Sequence, residues 1–308
     1  MIEFSVVIAV YNKEAYIGKT LRSVLDQTHS DIEVIVVNDG STDGGEAVIL
    51  SFSDPRIRYY PQENTGAGAA RNAALSKATK PWIALLDADD IWFPHYLEEQ
   101  ARLINTFKTH KVFATNSNIH KKGKFMSRDF SFSWSGDAAL VLNFFEASER
   151  DSLLNSSFTV LHRDVIGKVG NYDPSIKSGQ DTDLWVRIGL HYDVVFSPLV
   201  CGYYEINETS LFQSTKRISE KATFEAYEKY EAGNPKLKKF LDLSRYSLCI
   251  IAKFEGNTEA FTMIYRKIDL KNLSASQRFL LKLNRPMLIA AKRAQEFLSG
   301  LGIRLSPF

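Results

Sequence analysis

The first 90 residues contain four short strand-like runs separated by segments of helical spacing, and this alternation restricts the fold more than any other feature of the chain. FSVVIAV at 4–10 is apolar and rich in β-branched residues, and after Asn12 the residues Ile17, Leu21, Val24 and Leu25 recur at helical spacing. A second run, 32–37, ends at NDGSTD, where Asp39, Gly40 and Ser41 supply turn chemistry ahead of a helix through Ala47 to Leu50. Residues 56–60 read as a third strand, GAGAARNAALSKA at 66–78 as an alanine-rich helix, and 82–86 as a fourth strand that stops at Asp87. Units of this length imply an α/β fold with right-handed crossovers and a mostly parallel central sheet flanked by helices. Ligands bind such sheets beyond the carboxyl ends of the strands. Tyr11, Asn12, Asp39, Asp87 and Asp89 all follow strand ends, so they are expected on one rim.

From about 110 to 200 the pattern loosens, with strands expected at 112–119, 157–162 and 194–197 and mixed strand directions. A KKGK turn follows the first of these, and a helix carries Asp181, Asp183, Leu184, Trp185 and Ile188. Residues 92–103 read as a helix that Asp89 or Asp90 would cap. Beyond 215 the chain is helical and charged.

The segment LLDADD carries the chemistry. Asp87 and Asp89 stand one residue apart at a strand end, pointing to the same side if the backbone stays extended. Two such carboxylates suit a hard divalent cation, Mn²⁺ or Mg²⁺, which typically takes one or two carboxylates and completes its shell from substrate phosphates. A cation held there would neutralise a departing diphosphate. By themselves the two acids serve equally well as helix caps, so the pair alone does not decide.

Five segments taken in order do decide. SVVIAVYN at 5–12, VIVVNDGSTD at 34–43, NTGAGAARNAAL at 64–75, ALLDADDIW at 84–92 and GQDTDLWVRI at 179–188 resemble the inverting glycosyltransferases of family 2. That resemblance covers about the first 200 residues and implies the GT-A, or nucleotide-diphospho-sugar transferase, fold. With the chain's own pattern beyond 215 it gives an expected catalytic domain over 1–214, divided into a nucleotide-binding half at 1–110 and an acceptor-binding half at 111–214, followed by a helical extension at 215–308. By the same resemblance, Asp39 pairs with the base, which favours uracil and UDP, while Val10 and Tyr11 line the base and ribose pocket. Arg71 approaches the diphosphate, where a fixed charge pairs with phosphate oxygens. Asp87 faces the ribose or the metal, and Asp89 is the direct metal ligand. Asp181 is the expected general base for the attacking hydroxyl.

The chain departs from the family at Gln180, where a glutamate is usual before Asp181, and at Ala9, where proline is usual. Trp134 and Trp185 are weak candidates for stacking on an acceptor sugar. The expected activity is transfer of a sugar from a nucleotide-sugar donor to a saccharide or lipid-linked acceptor, in surface polysaccharide or glycolipid synthesis. A nucleotide-sugar-binding protein that has lost turnover and a sugar nucleotidyltransferase are the alternatives. The second lacks support, because VYNKEAY follows the first strand in place of a glycine-rich basic loop. No GxGxxG stands there either, which disfavours a dinucleotide-dependent oxidoreductase.

From 271 onward seven basic residues face the single acid Glu296, and Leu280, Leu283, Met287, Ala291, Ala294 and Leu298 recur at helical spacing. Ser274 and Gln277 offer a capping box, and Pro286 is expected to kink or divide the segment. Residues 274–308 are therefore read as a surface for anionic membrane, with packing on the protein or in a homodimer as the alternative. The net charge of +2 singles out no partner class, and no nucleic-acid partner is expected. Cys201 and Cys249 sit in apolar settings without metal spacing and read as buried hydrophobes in a reducing compartment. With no basic leader and no apolar stretch of roughly 18 residues, the expected location is cytoplasmic, peripheral to the inner face of the cell membrane.

Overall fold

The computed structural model describes residues 2–206 and 217–300, with side chains described to 295. The chain divides into two compact units, Met1–Leu211 and Phe212–Phe308. The expected boundary at 214/215 lies outside the described residues.

In the first unit β1 (Phe4–Val10), α1 (Glu14–Leu25), β2 (Ile32–Asp39), α2 (Gly45–Leu50), β3 (Ile57–Gln62), α3 (Ala67–Lys77) and β4 (Trp82–Asp87) alternate. There follow β5 (Ile91–Trp92), α4 (Tyr96–Thr106), β6 (Val112–Lys121), β7 (Lys124–Ser127), β8 (Leu140–Leu142) and α5 (Phe144–Ala147). The unit closes with β9 (Thr159–His162), α6 (Arg163–Val169), α7 (Gln180–Gly189) and β10 (Val194–Ile206).

One sheet runs β3-β2-β1-β4-β9-β6-β10-β5, with β7 on β6 and β8 on β10. The strands β1 to β4 are parallel, and β9 lies antiparallel to both β4 and β6. A mostly parallel sheet is thus correct for the first half only, and the second half is mixed. Helices cover both faces of the parallel half, so β1 and β2 read as continuous apolar runs. Their valines and isoleucines pack against Ile17, Leu21 and Val24 of α1 and Leu97 and Leu103 of α4.

Two expectations are corrected. Trp92 does not begin a helix; it pairs with Gly202 in the two-residue strand β5. Pro94 disfavours helical backbone at Phe93, so α4 starts only at Tyr96. The last strand does not end at Ser197 but continues to Ile206. Pro198 lacks an N–H, and the register with β6 shifts between Ser197 and Val200, which breaks the sequence pattern without ending the strand.

At the opposite end of the sheet from the rim, Glu33 of β2 is buried and accepts from Ser5 Oγ at 2.6 Å, Thr79 N at 2.6 Å and Thr79 Oγ1 at 2.8 Å. Burial alone would push its carboxyl up, but these donors and Arg58 outweigh it and hold the group below its ordinary range. Its stabilisation is therefore present above the ordinary carboxylate range and is lost as pH falls through the lowered value. Glu33→Ala strands several donors at once and is expected to cost about 2 kcal/mol, read by urea unfolding at neutral pH.

In the second unit the helix Pro235–Glu255 packs with Thr258–Tyr265, Ala275–Lys282 and Arg285–Gly300. The capping box of Ser274 and Gln277 is present, and a new helix starts at Arg285, just before Pro286. Leu280, Leu283 and Leu288 are buried against Tyr246, Cys249 and Ile250, with Ala291 packed beside them. Of the apolar stripe assigned to a membrane surface, Leu280, Leu283 and Ala291 thus serve the core of their own unit, whereas Met287 is 53% exposed and Ala294 is exposed, and Arg304 lies outside the described residues. Both cysteines are buried, and burial pushes each thiol up to about 12. Among the described residues no helix is long and apolar enough to cross a membrane.

Candidate active site

The polar residues that follow β1, β2 and β4 meet at one rim. Asn12 takes φ of 50°, a backbone that asparagine tolerates, and its Oδ1 accepts from Thr42 N at 2.8 Å while Ser41 Oγ accepts from Asn12 N at 3.0 Å. The loops after β1 and β2 are thereby tied together. Gly40 follows with φ of 69°, and a Cβ there would lie 2.8 Å from Asn64 N. Only glycine fits this turn.

Asp39 is 2% exposed, and its carboxylate accepts from Gln62 Nε2 at 2.7 Å, Thr65 N at 2.9 Å, Thr65 Oγ1 at 3.2 Å and Gly66 N at 2.9 Å. In this structure the residue therefore staples the loop between β3 and α3. Tyr11 stands 48% exposed at the rim. Val10 is 1% exposed, its side chain in the core, so it offers a pocket only its backbone.

Arg71 of α3 is the hub of the rim. Its Nη2 donates to Asp87 Oδ1 at 2.6 Å, its Nη1 lies 3.5 Å from Asp181 Oδ1, and its guanidinium sits 5.5 Å from the ring centre of Tyr172. With the Gln180 amide oxygen turned towards it, Arg71 Nη1 also donates to that oxygen at 2.8 Å, and the Gln180 amide nitrogen donates to Ile176 O at 2.9 Å. The neutral side chain at this departure from the family pattern is thus buried and engaged. Tyr172 is held in turn by Asn72, whose side-chain amide exchanges two hydrogen bonds with the Tyr172 backbone at 2.8 and 3.0 Å.

Asp181 is the second residue of α7, which starts after Gly179, whose φ of 88° turns the chain into the helix. Asp181 Oδ1 is buried without a hydrogen-bond donor. Burial pushes the carboxyl up, and Asp87 adds to this against the opposing pull of Arg71 and Ser156. A carboxylate so poised takes up a proton more readily than an ordinary one. Asp183, one turn position on, pairs with Arg187 at 2.7 Å and belongs to the scaffold.

Asp89 lies 2.5 Å from Lys13 Nζ, with the Asp89 side chain 12% exposed. Asp90 is buried and caps no helix. It accepts from Ser157 Oγ and, at 2.9 Å, from Glu205 N, so it ties the end of β4 to the segment just before β9 and to β10. Burial, reinforced by Asp89 and Asp87, pushes the Asp90 carboxyl well up. Four acids, Asp87, Asp89, Asp90 and Asp181, thus gather around two bases, Lys13 and Arg71.

The rim brings together Asp39, Arg71, Asp87, Asp89 and Asp181, and it leaves out Trp185. Trp185 is 3% exposed inside the core and presents no face to an acceptor. Trp134 is 38% exposed and packs on Phe130, Phe132 and Phe196. Sequence reading missed Lys13, Asp90, Tyr172 and the contact of Gln180 with Arg71. Asp90 was visible as the third acid of LLDADD; Tyr172 reaches Asn72 across 100 positions and left no local signal.

Residues 5–168 match the family model described as Glycosyl transferase family 2. An uncharacterized glycosyltransferase of Rickettsia bellii is 32% identical over 203 residues, which are 64% of this chain and 29% of that protein. The chain spans about a third of the length of this and similar curated relatives. TuaG of Bacillus subtilis, a glycosyltransferase named for teichuronic acid biosynthesis, is 31% identical over 191 residues, 60% of this chain and 71% of its own. Among solved structures, the crystal structure of S. aureus TarS 1–349 in complex with UDP-GlcNAc matches with a TM-score of 0.58 at 18% identity, covering 94% of this chain and 79% of that one. This likeness shows a shared fold, the GT-A fold.

Proposed function

This chain belongs to glycosyl transferase family 2, and on that premise we propose that it transfers a sugar from a UDP-sugar to a saccharide or lipid-linked acceptor, with inversion at the anomeric carbon. The observation that carries the reading is the placing of Asp87 and Asp89 at the end of β4, with Arg71 bound to Asp87 and lying 3.5 Å from Asp181. Asp87 and Asp89 are hard oxygen donors suited to Mn²⁺ or Mg²⁺. Among the described residues no three His, Cys, Asp or Glu side chains are arranged to hold an ion, which fits a shell completed by phosphate oxygens. When bound, the ion supplies neutralisation of the leaving diphosphate.

In the proposed step the acceptor hydroxyl oxygen bonds to the anomeric carbon as its proton passes to Asp181. The bond from that carbon to the diphosphate oxygen breaks, and the electron pair leaves with the nucleoside diphosphate. Arg71, fixed by Gln180 and Tyr172, is placed to pair with phosphate oxygens. Uridine is favoured because the structurally similar TarS was crystallised with UDP-GlcNAc and with UDP. Asp39 shapes the base-side loop, and its Oδ2, which accepts from Gly66 N, is the atom that would pair with the N3–H of a uracil.

A calorimetric screen of UDP-, GDP-, ADP- and dTDP-sugars with Mn²⁺, followed by a hydrolysis assay, tests this. At least one UDP-sugar is expected to bind and to be slowly hydrolysed, with both effects abolished by a chelator. Binding of none would end the reading; metal-dependent binding with no turnover on any acceptor would favour a nucleotide-sugar-binding protein instead.

A further inference from the structure

The sheet does not stop level with the carboxylates. Ala84 of β4 and Phe113 of β6 both pair with Val160, so Asp87 stands level with Asn116, and β6 runs four residues further to His120. At the usual rise this places His120 about 13 Å past Asp87. The strands β7 and β10 accompany it, so Phe125, His120 and Glu205 lie side by side on one face of a ribbon that overhangs the rim. Tyr203 lies on the same face, two residues before Glu205 on β10 and opposite Asn118.

On that face three rings pack together. Phe125 lies 4.7 Å from His120 and 5.1 Å from Tyr203, and His120 lies 5.4 Å from Tyr203. Phe125 is 59% exposed, an unusual outlay of apolar surface for a hairpin strand. Beside the rings His120 Nδ1 and Glu205 Oε2 are 2.6 Å apart. Tyr203 also borders an open cleft of about 340 Å³ lined by Lys19 and Arg22 of α1 and by Asp26, which follows it. An exposed ring backed by two half-buried ones, an imidazole–carboxylate pair and a polar cleft match the two-sided chemistry of a saccharide, with C–H faces to stack and hydroxyl edges to bond. The platform is joined to the carboxylates through one residue, because Glu205 N donates to Asp90.

We propose that this overhang, with Phe125 and Tyr203 as stacking rings and His120 and Glu205 as hydrogen-bonding edge, is the subsite that holds the acceptor saccharide. The proposal rests on the transferase reading above and names the part of the surface that the acceptor occupies. The test is saturation-transfer NMR on the full chain with cello-, chito- and manno-oligosaccharides of two to four residues, for wild type, Phe125→Ala and His120→Ala. At least one series is expected to bind, and both variants to weaken it tenfold or more, with thermal midpoint and Mn²⁺–UDP binding unchanged. Binding by none of the series to wild type, or equal binding to all three proteins, overturns the proposal. Loss of nucleotide binding in wild type would instead strike the transferase reading, and saccharide binding at the platform would still be read separately.

Discussion

Asp181→Asn is expected to lower turnover by about three orders of magnitude while donor binding changes little, because it removes the proton acceptor and leaves the shape of the site intact. The pH profile separates this from a structural effect. Asp181 works only when unprotonated, and burial, with Asp87, raises its carboxyl above the ordinary range against the pull of Arg71 and Ser156. Activity of the wild type should therefore fall with decreasing pH earlier than an ordinary carboxylate would dictate. The residual activity of the variant should lack that acid limb. Arg71 is shared between Asp87 and Asp181, so the limb reports the group of residues and not one microscopic value. If Asp181→Asn retains both rate and limb, another residue is the base.

Asp89→Ala is expected to reduce kcat/KM on the order of a thousandfold, the several kcal/mol that a bound cation contributes to stabilising a departing phosphate. Binding and catalysis should fail together, since the same ligand serves both. The ion pair with Lys13 supplies a second reading of the same site. Lys13 Nζ sits 2.5 Å from Asp89 Oδ2 and competes with any arriving cation. Lys13→Met is expected to bind Mn²⁺ more tightly than wild type in the presence of UDP, as followed by electron paramagnetic resonance. Unchanged Mn²⁺–UDP binding in Asp89→Ala would remove Asp89 from the metal site.

The parallel half of the fold was legible because its strands are buried on both faces, and such strands must be β-branched and apolar, as 4–10 and 32–37 are. Beyond Asp87 the strands lose that constraint. Ile91–Trp92 is too short for any periodicity, Leu140–Leu142 is half-exposed, and Pro198 interrupts the pattern of a strand that continues past it. The site was legible where chemistry follows a strand end, as at Asp87 and Asp89. Asp39 was visible for the same reason, yet its present work, holding the 62–66 loop, depends on donors that only the folded chain brings near. Lys13, Tyr172 and Gln180 needed that same closeness and carried no pattern of their own.

The stapling of that loop by Asp39 also bears on how fast and how favourably a ligand is captured. Four hydrogen bonds fix residues 62–66 before any donor arrives, so the conformational entropy of that segment is already lost in the free protein. Association with a nucleotide then carries little ordering penalty on this side of the rim. Capture there resembles docking into a ready surface, and its rate is set by encounter and orientation more than by rearrangement of the loop.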